Sequence, residues 1–263
     1  MALSKIGFKD FLCLNKKFLI YNLITRNLKL RYRKSYVGIL WTMLIPAANA
    51  IVYNVVFEYI MKVQVPNYLL FLLSGLLPWA FFSNSLINGM ESLVGNQSVL
   101  NKVPIPAYSF TLAETLTAFT NFLLALPVMG VMLFIFDVPF NIYQCFIPVA
   151  ILLLLLQAYG LSLILAYVFV YFRDLRHLLS IILQIWFYLT PILYSAKMIP
   201  AKLEFVNWIN PVAPIFHLFH RALGSEGVAN DSLYIIPFVW TAVILIVSLL
   251  VVRKFNQEVV ESL

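Results

Sequence analysis

Six stretches of this sequence contain no Asp, Glu, Lys or Arg and are long enough to cross a lipid bilayer. They cover residues 35–57, 63–90, 115–136, 138–172, 178–196 and 232–252. A helix needs about 20 predominantly apolar residues to span the hydrocarbon core. Because 62% of the residues are hydrophobic and only 11% are charged, the sequence predicts an all-α integral membrane protein. We expect six transmembrane helices, at about 38–59, 67–87, 111–135, 144–171, 178–196 and 232–252.

The distribution of basic residues predicts the orientation of these spans. Six crossings place both termini on one side of the membrane. If that side is the cytoplasm, cytoplasmic segments hold 14 of the 18 Lys and Arg residues, as the positive-inside rule requires. The net charge of +7 is then explained by segments that lie beside anionic membrane lipids. A nucleic-acid partner is therefore not predicted, and we expect a multi-pass protein of the bacterial inner (plasma) membrane.

The charged turn "RDLRH" at 173–177 admits two interpretations. It could be an ion-pair site buried in the membrane, or the cytoplasmic connection between spans four and five. Intramembrane charges are costly and rare. The sequence therefore favours the cytoplasmic turn.

Three segments outside the predicted spans have features of their own. The cytoplasmic segment 1–37 includes a stretch that alternates apolar and basic residues, which is typical of an amphipathic helix in the membrane interface; it could be an anchor or a contact surface for a partner. The cytoplasmic loop 88–110 is predicted to form a short helix at 91–101, ended by two prolines. The outer loop 197–231 contains two apolar segments of about 10 residues, too short to cross, which predicts re-entrant or interfacial helices. The cytoplasmic tail is 253–263.

Few residues of this sequence are typical of catalysis or cofactor binding. There is no Gly-x-x-x-x-Gly-Lys-Ser/Thr phosphate loop, so ATP binding by that motif is not predicted. His217 and His220 could bind a metal together with Glu204 or Glu226, but no fixed spacing to a carboxylate supports such a site. We therefore predict no metal, no cofactor and no catalytic residue in this chain.

Uncharged polar residues recur on one helical face in four of the predicted spans. In span one they are Thr42, Asn49 and Tyr53; in span two Ser74, Ser85 and the interleaved Phe81; in span three Thr117 and Asn121, following Glu114; and in span five Ser180, Gln184, Tyr188 and Ser195. Such rows either form hydrogen bonds between packed helices or line a water-accessible path. Several rows with interleaved aromatic rings favour a path, and the scarcity of intramembrane charge favours a locally uncharged substrate such as a sugar chain. The candidate channel-lining residues are Thr42, Asn49, Tyr53, Ser74, Phe81, Ser85, Asn121, Gln184 and Tyr188.

Six segments carry a family resemblance over nearly the whole chain. They are "RYRKSYVGILW" (31–41), "NKVPIP" (101–106), "FRDLRHLLSIILQIWFYLTPILYS" (172–195), "NWINP" (207–211), "HRAL" (220–223) and "RKFNQEVVESL" (253–263). In this order and spacing they resemble the membrane subunits of ABC exporters of lipid-linked polysaccharides, the permeases for O-antigen, capsule and teichoic acid. Two other functions stay open: an exporter of drugs or lipids on the same fold, and a membrane anchor without transport activity.

The resemblance implies partners and sites that composition alone does not show. It implies a homodimer that forms a channel, two cytoplasmic ATPase subunits that carry ATP and Mg, and an undecaprenyl-linked glycan as the exported substrate. The ATPase would contact the N-terminal interfacial helix and the region of the predicted 91–101 helix, where the candidates are Ser92, Gly95, Ser98, Lys102 and Pro104. The short helices of the outer loop would form a gate, with candidates Trp208, Asn210, Pro211 and Phe216.

Overall fold

The computed structural model describes residues 17–33, 37–62, 65–102, 105–195, 198–203, 205–223 and 235–262. All regular secondary structure within these ranges is helical. The helices are α1 (Lys17–Tyr32), α2 (Trp41–Asn54, continued by a π-helical turn at Val55–Ile60), α3 (Tyr68–Gly95), α4 (Gln97–Leu100), α5 (Tyr108–Ile135), α6 (Ile147–Tyr171, preceded by a 3-10 segment at Ile142–Phe146), α7 (Leu175–Leu189), α8 (Val206–Ile209), α9 (Ala213–Ala222) and α10 (Ile236–Ser262).

Five of these helices are long and apolar enough to span a membrane. They are α2 with its π-helical continuation, α3, α5, α6 with its 3-10 segment, and α10. The chain is therefore an all-helical, multi-pass membrane protein. The predicted count of six is not confirmed, because α7 has only 15 residues, which corresponds to about 22 Å of helix.

Helix α7 ends earlier than the predicted span 178–196. Thr190 adopts an extended backbone conformation immediately before Pro191. A residue that precedes proline is driven away from helical dihedral angles, so the helix ends at Leu189. The helix is therefore shorter than the predicted span, because the mostly apolar residues from Pro191 to Ser195 are not helical.

Helix α3 lies at the centre of the helical bundle. It packs against α2, α5, α6, α7 and α9, and its Leu72 and Phe82 are completely buried. Helix α6 in turn packs against α10, where Gln157 Nε2 donates to Thr241 Oγ1 (3.1 Å) and Tyr167 donates to Asn256 Oδ1 (2.8 Å). Hydrogen bonds of this kind hold membrane helices together because lipid offers polar groups no alternative partner.

Helices α2 and α7 lie at the margin of the bundle. Most side chains of both helices are exposed, and α7 buries only Leu179 and Leu183 along its length. The exposed face of α7 includes Ser180, Gln184 and Tyr188, spaced four residues apart. Such spacing places all three on one side of the helix.

The connection between α3 and α5 differs from the sequence prediction. Helix α3 continues to Gly95 and is followed by the one-turn helix α4. The predicted separate helix at 91–101 was therefore wrong. Residues 91–95 of the predicted helix belong to α3, and Gly89, shortly before them, packs closely against Ser162 of α6.

Candidate transport pathway

Two cavities lie side by side along the inner face of α2. The first cavity, of about 380 Å³, lies between α2, α3 and α5, with the end of α1 at its rim. The second cavity, of about 470 Å³, lies between α2, α3 and α7. Ile45, Pro46, Ala80 and Asn84 line both cavities, so the two form a continuous strip along α2.

Seven of the nine predicted channel-lining residues border these cavities. Thr42, Phe81 and Asn121 line the first cavity, and Asn49, Tyr53, Gln184 and Tyr188 line the second. The structure thus brings together the polar rows of α2 and α7, which are separated by more than a hundred residues in sequence. Phe81 is largely buried and stacks on Phe122, with 5.4 Å between ring centroids.

The remaining two predicted residues, Ser74 and Ser85, lie away from both cavities. Each has a completely buried side chain. The Ser85 carbonyl accepts a hydrogen bond from Ser162 Oγ of α6 (2.9 Å), and Ser74 contacts His220 of helix α9. These two serines therefore belong to helix packing, the alternative that the sequence left open.

Asn84 lines both cavities and was missed by the sequence prediction. It follows Ser83, which lines the second cavity, and its Nδ2 donates to the Ala80 carbonyl one turn back (2.6 Å). The predicted polar face of span two ran through the neighbouring Ser85 instead. The sequence signal that could have identified Asn84 was its side-chain amide within a span. The donor and acceptor groups of an amide are harder to satisfy in lipid than the single hydroxyl of Ser85.

The chemistry of the second cavity is aromatic and uncharged. Its lining includes the amides of Asn49, Asn84 and Gln184 beside the phenol rings of Tyr53 and Tyr188, and none of its lining residues is charged within the part of the chain that the structure describes. Aromatic rings supply flat apolar surfaces with polar handles, while amides donate and accept hydrogen bonds. This combination suits a neutral, hydroxyl-rich ligand.

Asn210 joins α7 to the short helices α8 and α9. Its Oδ1 accepts from Trp186 Nε1 of α7 (2.9 Å), and its Nδ2 donates to Thr190 Oγ1 (2.9 Å). The same Oδ1 accepts from the Val212 backbone N–H at the start of α9 (3.1 Å). Asn210 is thus buried at the junction of α7 and α9, and a displacement of α7 would also move α9.

The other predicted gate residues surround this junction at different depths. Phe216 is completely buried and makes an edge contact with Trp79 of α3. Trp208 is exposed, and its carbonyl accepts from Trp240 Nε1 of α10 (3.1 Å). Pro211 is half-buried. Residues 224–231 of the predicted gate loop lie outside the described residues.

His220 fastens α9 to both α3 and the end of α7. Its Nε2 lies 2.8 Å from the Pro191 carbonyl, which can only accept, so Nε2 carries the proton and donates. Its Nδ1 then accepts from the Ser74 hydroxyl (2.6 Å), and the ring stacks on Phe71. Burial lowers the pKa of His220 to about 3 and that of His217 to about 4, so both imidazoles are neutral at pH 7.

We expect acidification to destabilise the protein through these two histidines. Because unfolding exposes them to water, where the pKa is near 6.5, the unfolded state binds more protons below that pH, and stability falls as the pH drops from 6.5 towards 4. At pH 5 each histidine contributes a loss of about 2 kcal/mol. Melting temperatures in detergent at pH 8 and pH 5 measure the effect, and His217→Leu should remove about half of it. An equal pH effect in His217→Leu would exclude His217 as a source.

Comparison with known proteins decides the family. The sequence matches the profile described as "ABC-2 type transporter" over residues 19–223. The chain belongs to the ABC-2 type transporter family. Its named relatives include the O-antigen export system permease protein RfbA of Klebsiella pneumoniae, 32% identical over 246 residues (93% of this chain and 95% of the relative). The RfbA protein of Myxococcus xanthus is 37% identical over 85% of this chain and 89% of its own length. The polysialic acid transport protein KpsM of Escherichia coli is 25% identical over 94% and 97%.

In this ABC-2 transporter chain, the predicted ATPase-coupling residues fall into two groups. Gly95, Ser98 and Lys102 are exposed at the C-terminal end of α3 and around α4. Ser92 is buried, and its hydroxyl lies 2.8 Å from Thr111 Oγ1 of α5, so its side chain packs within this chain. Pro104 lies outside the described residues.

Within the described part of this ABC-2 transporter chain, no group of three or more His, Cys, Asp or Glu residues could hold a metal ion. Glu204 and Glu226, the carboxylates considered as partners of the histidines, lie outside the described residues. Within α9, His220 uses both ring nitrogens for Ser74 and Pro191. A structural role therefore accounts for His220.

Proposed function

We propose that this chain is the permease subunit of an ATP-driven exporter of a lipid-linked polysaccharide, and that the two cavities beside α2 form half of the export path. The observation that carries the proposal is the lining of the second cavity, where side-chain amides alternate with phenol rings and charge is absent. Relatives over most of the chain are named as O-antigen and polysialic acid export proteins, which supports a glycan as the substrate. An undecaprenyl lipid would carry it.

The exposed polar row of α7 supports a homodimer. Gln184 and Tyr188 would face lipid in a single subunit, where polar side chains lack hydrogen-bond partners, whereas the Ser180 hydroxyl donates to the His177 carbonyl of its own helix (2.7 Å). A second copy of the chain that faces this row and α2 would enclose both cavities in one aqueous channel. A homodimer would therefore remove the energetic cost of exposing these polar side chains to lipid.

The ATP-hydrolysing partner is proposed to be a separate chain. Two copies of a cytoplasmic ABC ATPase would bind the exposed surface at Gly95, Ser98 and Lys102, since these residues project from the cytoplasmic end of the central helix α3. The ATPase would supply both ATP and Mg. The outer helices α8 and α9, linked to α7 through Asn210, would form the gate on the opposite side.

Six crossings, with both termini in the cytoplasm of the bacterial inner membrane, complete the proposal. Helix α7 would cross with its short length, aided by the non-helical residues after it. Cysteines introduced at Asp174 and Lys202, on either side of α7, test this in a chain whose two native cysteines are replaced. We expect an impermeant reagent to label the Lys202→Cys variant from outside and the Asp174→Cys variant only after permeabilisation. Asn67→Cys and Ser98→Cys serve as the outside and inside controls. Labelling of both α7 positions from one side would show that α7 does not cross.

Deletion of the gene in its own organism tests the proposed function. We expect surface polysaccharide to disappear and lipid-linked glycan to accumulate on the cytoplasmic side, with both restored by a plasmid copy. Unchanged surface glycan, combined with altered export of small drugs or lipids, would instead assign the chain to an exporter of those compounds.

A further inference from the structure

Three hydrogen bonds attach the N-terminal helix α1 to the rest of the chain. Arg26 Nη2 donates to Asn96 Oδ1 at the end of α3 (2.6 Å), and Asn27 Nδ2 donates to Glu114 Oε1 of α5 (2.8 Å). Tyr32 donates to Asn121 Oδ1, two turns further along α5 (3.1 Å). We refer to these three bonds as the α1 clamp.

The α1 clamp connects two regions that the proposed function separates. Asn96 is the residue between α3 and α4, directly beside the exposed Gly95 and Ser98. At the other end, Tyr32 and Asn121 line the first cavity. Helix α1 therefore contacts the α3–α4 junction through Arg26 and the wall of the first cavity through Tyr32.

Glu114 is the central acceptor of the clamp. Its side chain is half-buried beneath α1, and the guanidinium groups of Arg26 and Arg31 act on its carboxylate electrostatically. A half-buried acid with a directed amide donor and two nearby cations holds one geometry better than an exposed pair would. The apolar side chains of Ile20 and Leu23, two turns and one turn before Asn27 on α1, are also buried. Helix α1 is therefore attached along its length.

We infer that the α1 clamp transmits ATPase movement to the first cavity, and that Asn27 and Glu114 are positioning residues for transport. This inference rests on the proposed function, because it requires an ATPase that acts at the α3–α4 junction. The residues do not contact the substrate in this role. They keep α1, the junction and the cavity wall moving as one body.

A second connection on the cytoplasmic side provides a matched control. Arg176 Nε of α7 pairs with Glu91 Oε1 of α3 at 2.7 Å; the Arg176 side chain is 59% exposed and the Glu91 side chain 36%. Exposed ion pairs contribute little to stability or rigidity. Breaking this pair removes a cytoplasmic contact of similar type without touching α1.

The test measures glycan moved per ATP hydrolysed by the complex of this chain with its ATPase in proteoliposomes. We expect Asn27→Ala and Glu114→Ala each to lower this ratio by about threefold or more, while ATP hydrolysis continues. The double variant should fall no further than either single variant, since both remove one bond. Glu114→Gln keeps an oxygen acceptor for Asn27 and should retain most of the ratio. Tyr32→Phe, which removes only a hydroxyl, should lower it.

The outcomes separate the inference from the function on which it rests. If the unmodified complex hydrolyses ATP but moves no glycan, the proposed function fails. If it moves glycan and the Asn27→Ala and Tyr32→Phe variants keep the full ratio, the clamp does not transmit movement. A loss in Glu91→Ala with none in the clamp variants would place the route in α7 and overturn the inference. If the Glu114→Ala variant does not assemble, the glycan-to-ATP ratios of the Asn27→Ala and Tyr32→Phe variants still test whether the clamp transmits movement.

Discussion

Replacing Gly89 by leucine is expected to abolish assembly of the protein in the membrane. Gly89 lies at a close contact between α3 and α6, and a Cβ atom at this position would stand 2.6 Å from Ser162 Cβ and 2.7 Å from Ser162 Oγ. Neither contact is tolerable, so the two helices must separate. Separation would also break the hydrogen bond from Ser162 Oγ to the Ser85 carbonyl. We expect a destabilisation of about 3 kcal/mol or more.

Gly130→Leu is the matched control for this substitution. Gly130 also lies within a span, in α5, but no atom stands within 4 Å of a Cβ built there. The amount of monodisperse protein extracted from membranes, together with its melting temperature, measures the difference. Gly89→Ala combined with Ser162→Gly should recover part of the stability, because the second change removes the atoms that clash. Equal stability of Gly89→Leu and Gly130→Leu would contradict the close approach of α3 and α6.

Removing the phenol rings of the second cavity is expected to slow export without reducing the amount of assembled protein. Tyr188 is 58% exposed in the subunit, and Tyr53 is half-buried and lies beside Phe57. Truncation of Tyr188 therefore leaves no cavity within the subunit core. If each ring stabilises the passing substrate by about 1 kcal/mol, Tyr53→Ala and Tyr188→Ala should each lower export about fivefold. The phenylalanine variants should retain most activity, because the ring is kept.

Phe134→Ala controls for loss of an exposed aromatic ring elsewhere. Phe134 is 84% exposed near the end of α5 and lines neither described cavity. Export per assembled transporter should be unchanged in this variant. If the two tyrosines instead pack helices in the assembled transporter, their alanine variants would lose abundance in proportion to activity, with a cost of roughly 3–5 kcal/mol each. Unchanged export per transporter with reduced abundance would exclude the tyrosines from the path.

The sequence predicted the helical spans well where charge and length decide the structure. Charge-free stretches identify helices α2, α3, α5, α6 and α10, because a charged residue at the bilayer centre is costly wherever the helix packs. The same count overestimated the length of helix α7, because apolar residues continue past Pro191 although the helix ends at Leu189. Hydrophobicity measures what can lie in lipid, and the proline decides where the helix ends.

The candidate site was predictable where a residue's polarity demands a polar environment. Asn49 and Gln184 carry amides that lipid cannot satisfy, and both border the second cavity. Ser74 and Ser85 misled the prediction, because serine is small enough to be buried between packed helices; both side chains are completely buried, and Ser74 lies against His220 of α9. The α1 clamp was not predictable, since it joins residues separated by up to 89 positions and depends on how α1 docks.

Transport by the purified complex tests the central claim most directly. The chain and its ATPase are placed in proteoliposomes with lipid-linked glycan on the outer surface, and ATP-dependent passage of glycan into the lumen is measured for the unmodified chain and the Tyr53→Ala/Tyr188→Ala double variant. We predict ATP-dependent passage by the unmodified complex, and a loss of about twentyfold or more in the double variant at equal abundance. Equal passage by both complexes would contradict a glycan path through the second cavity.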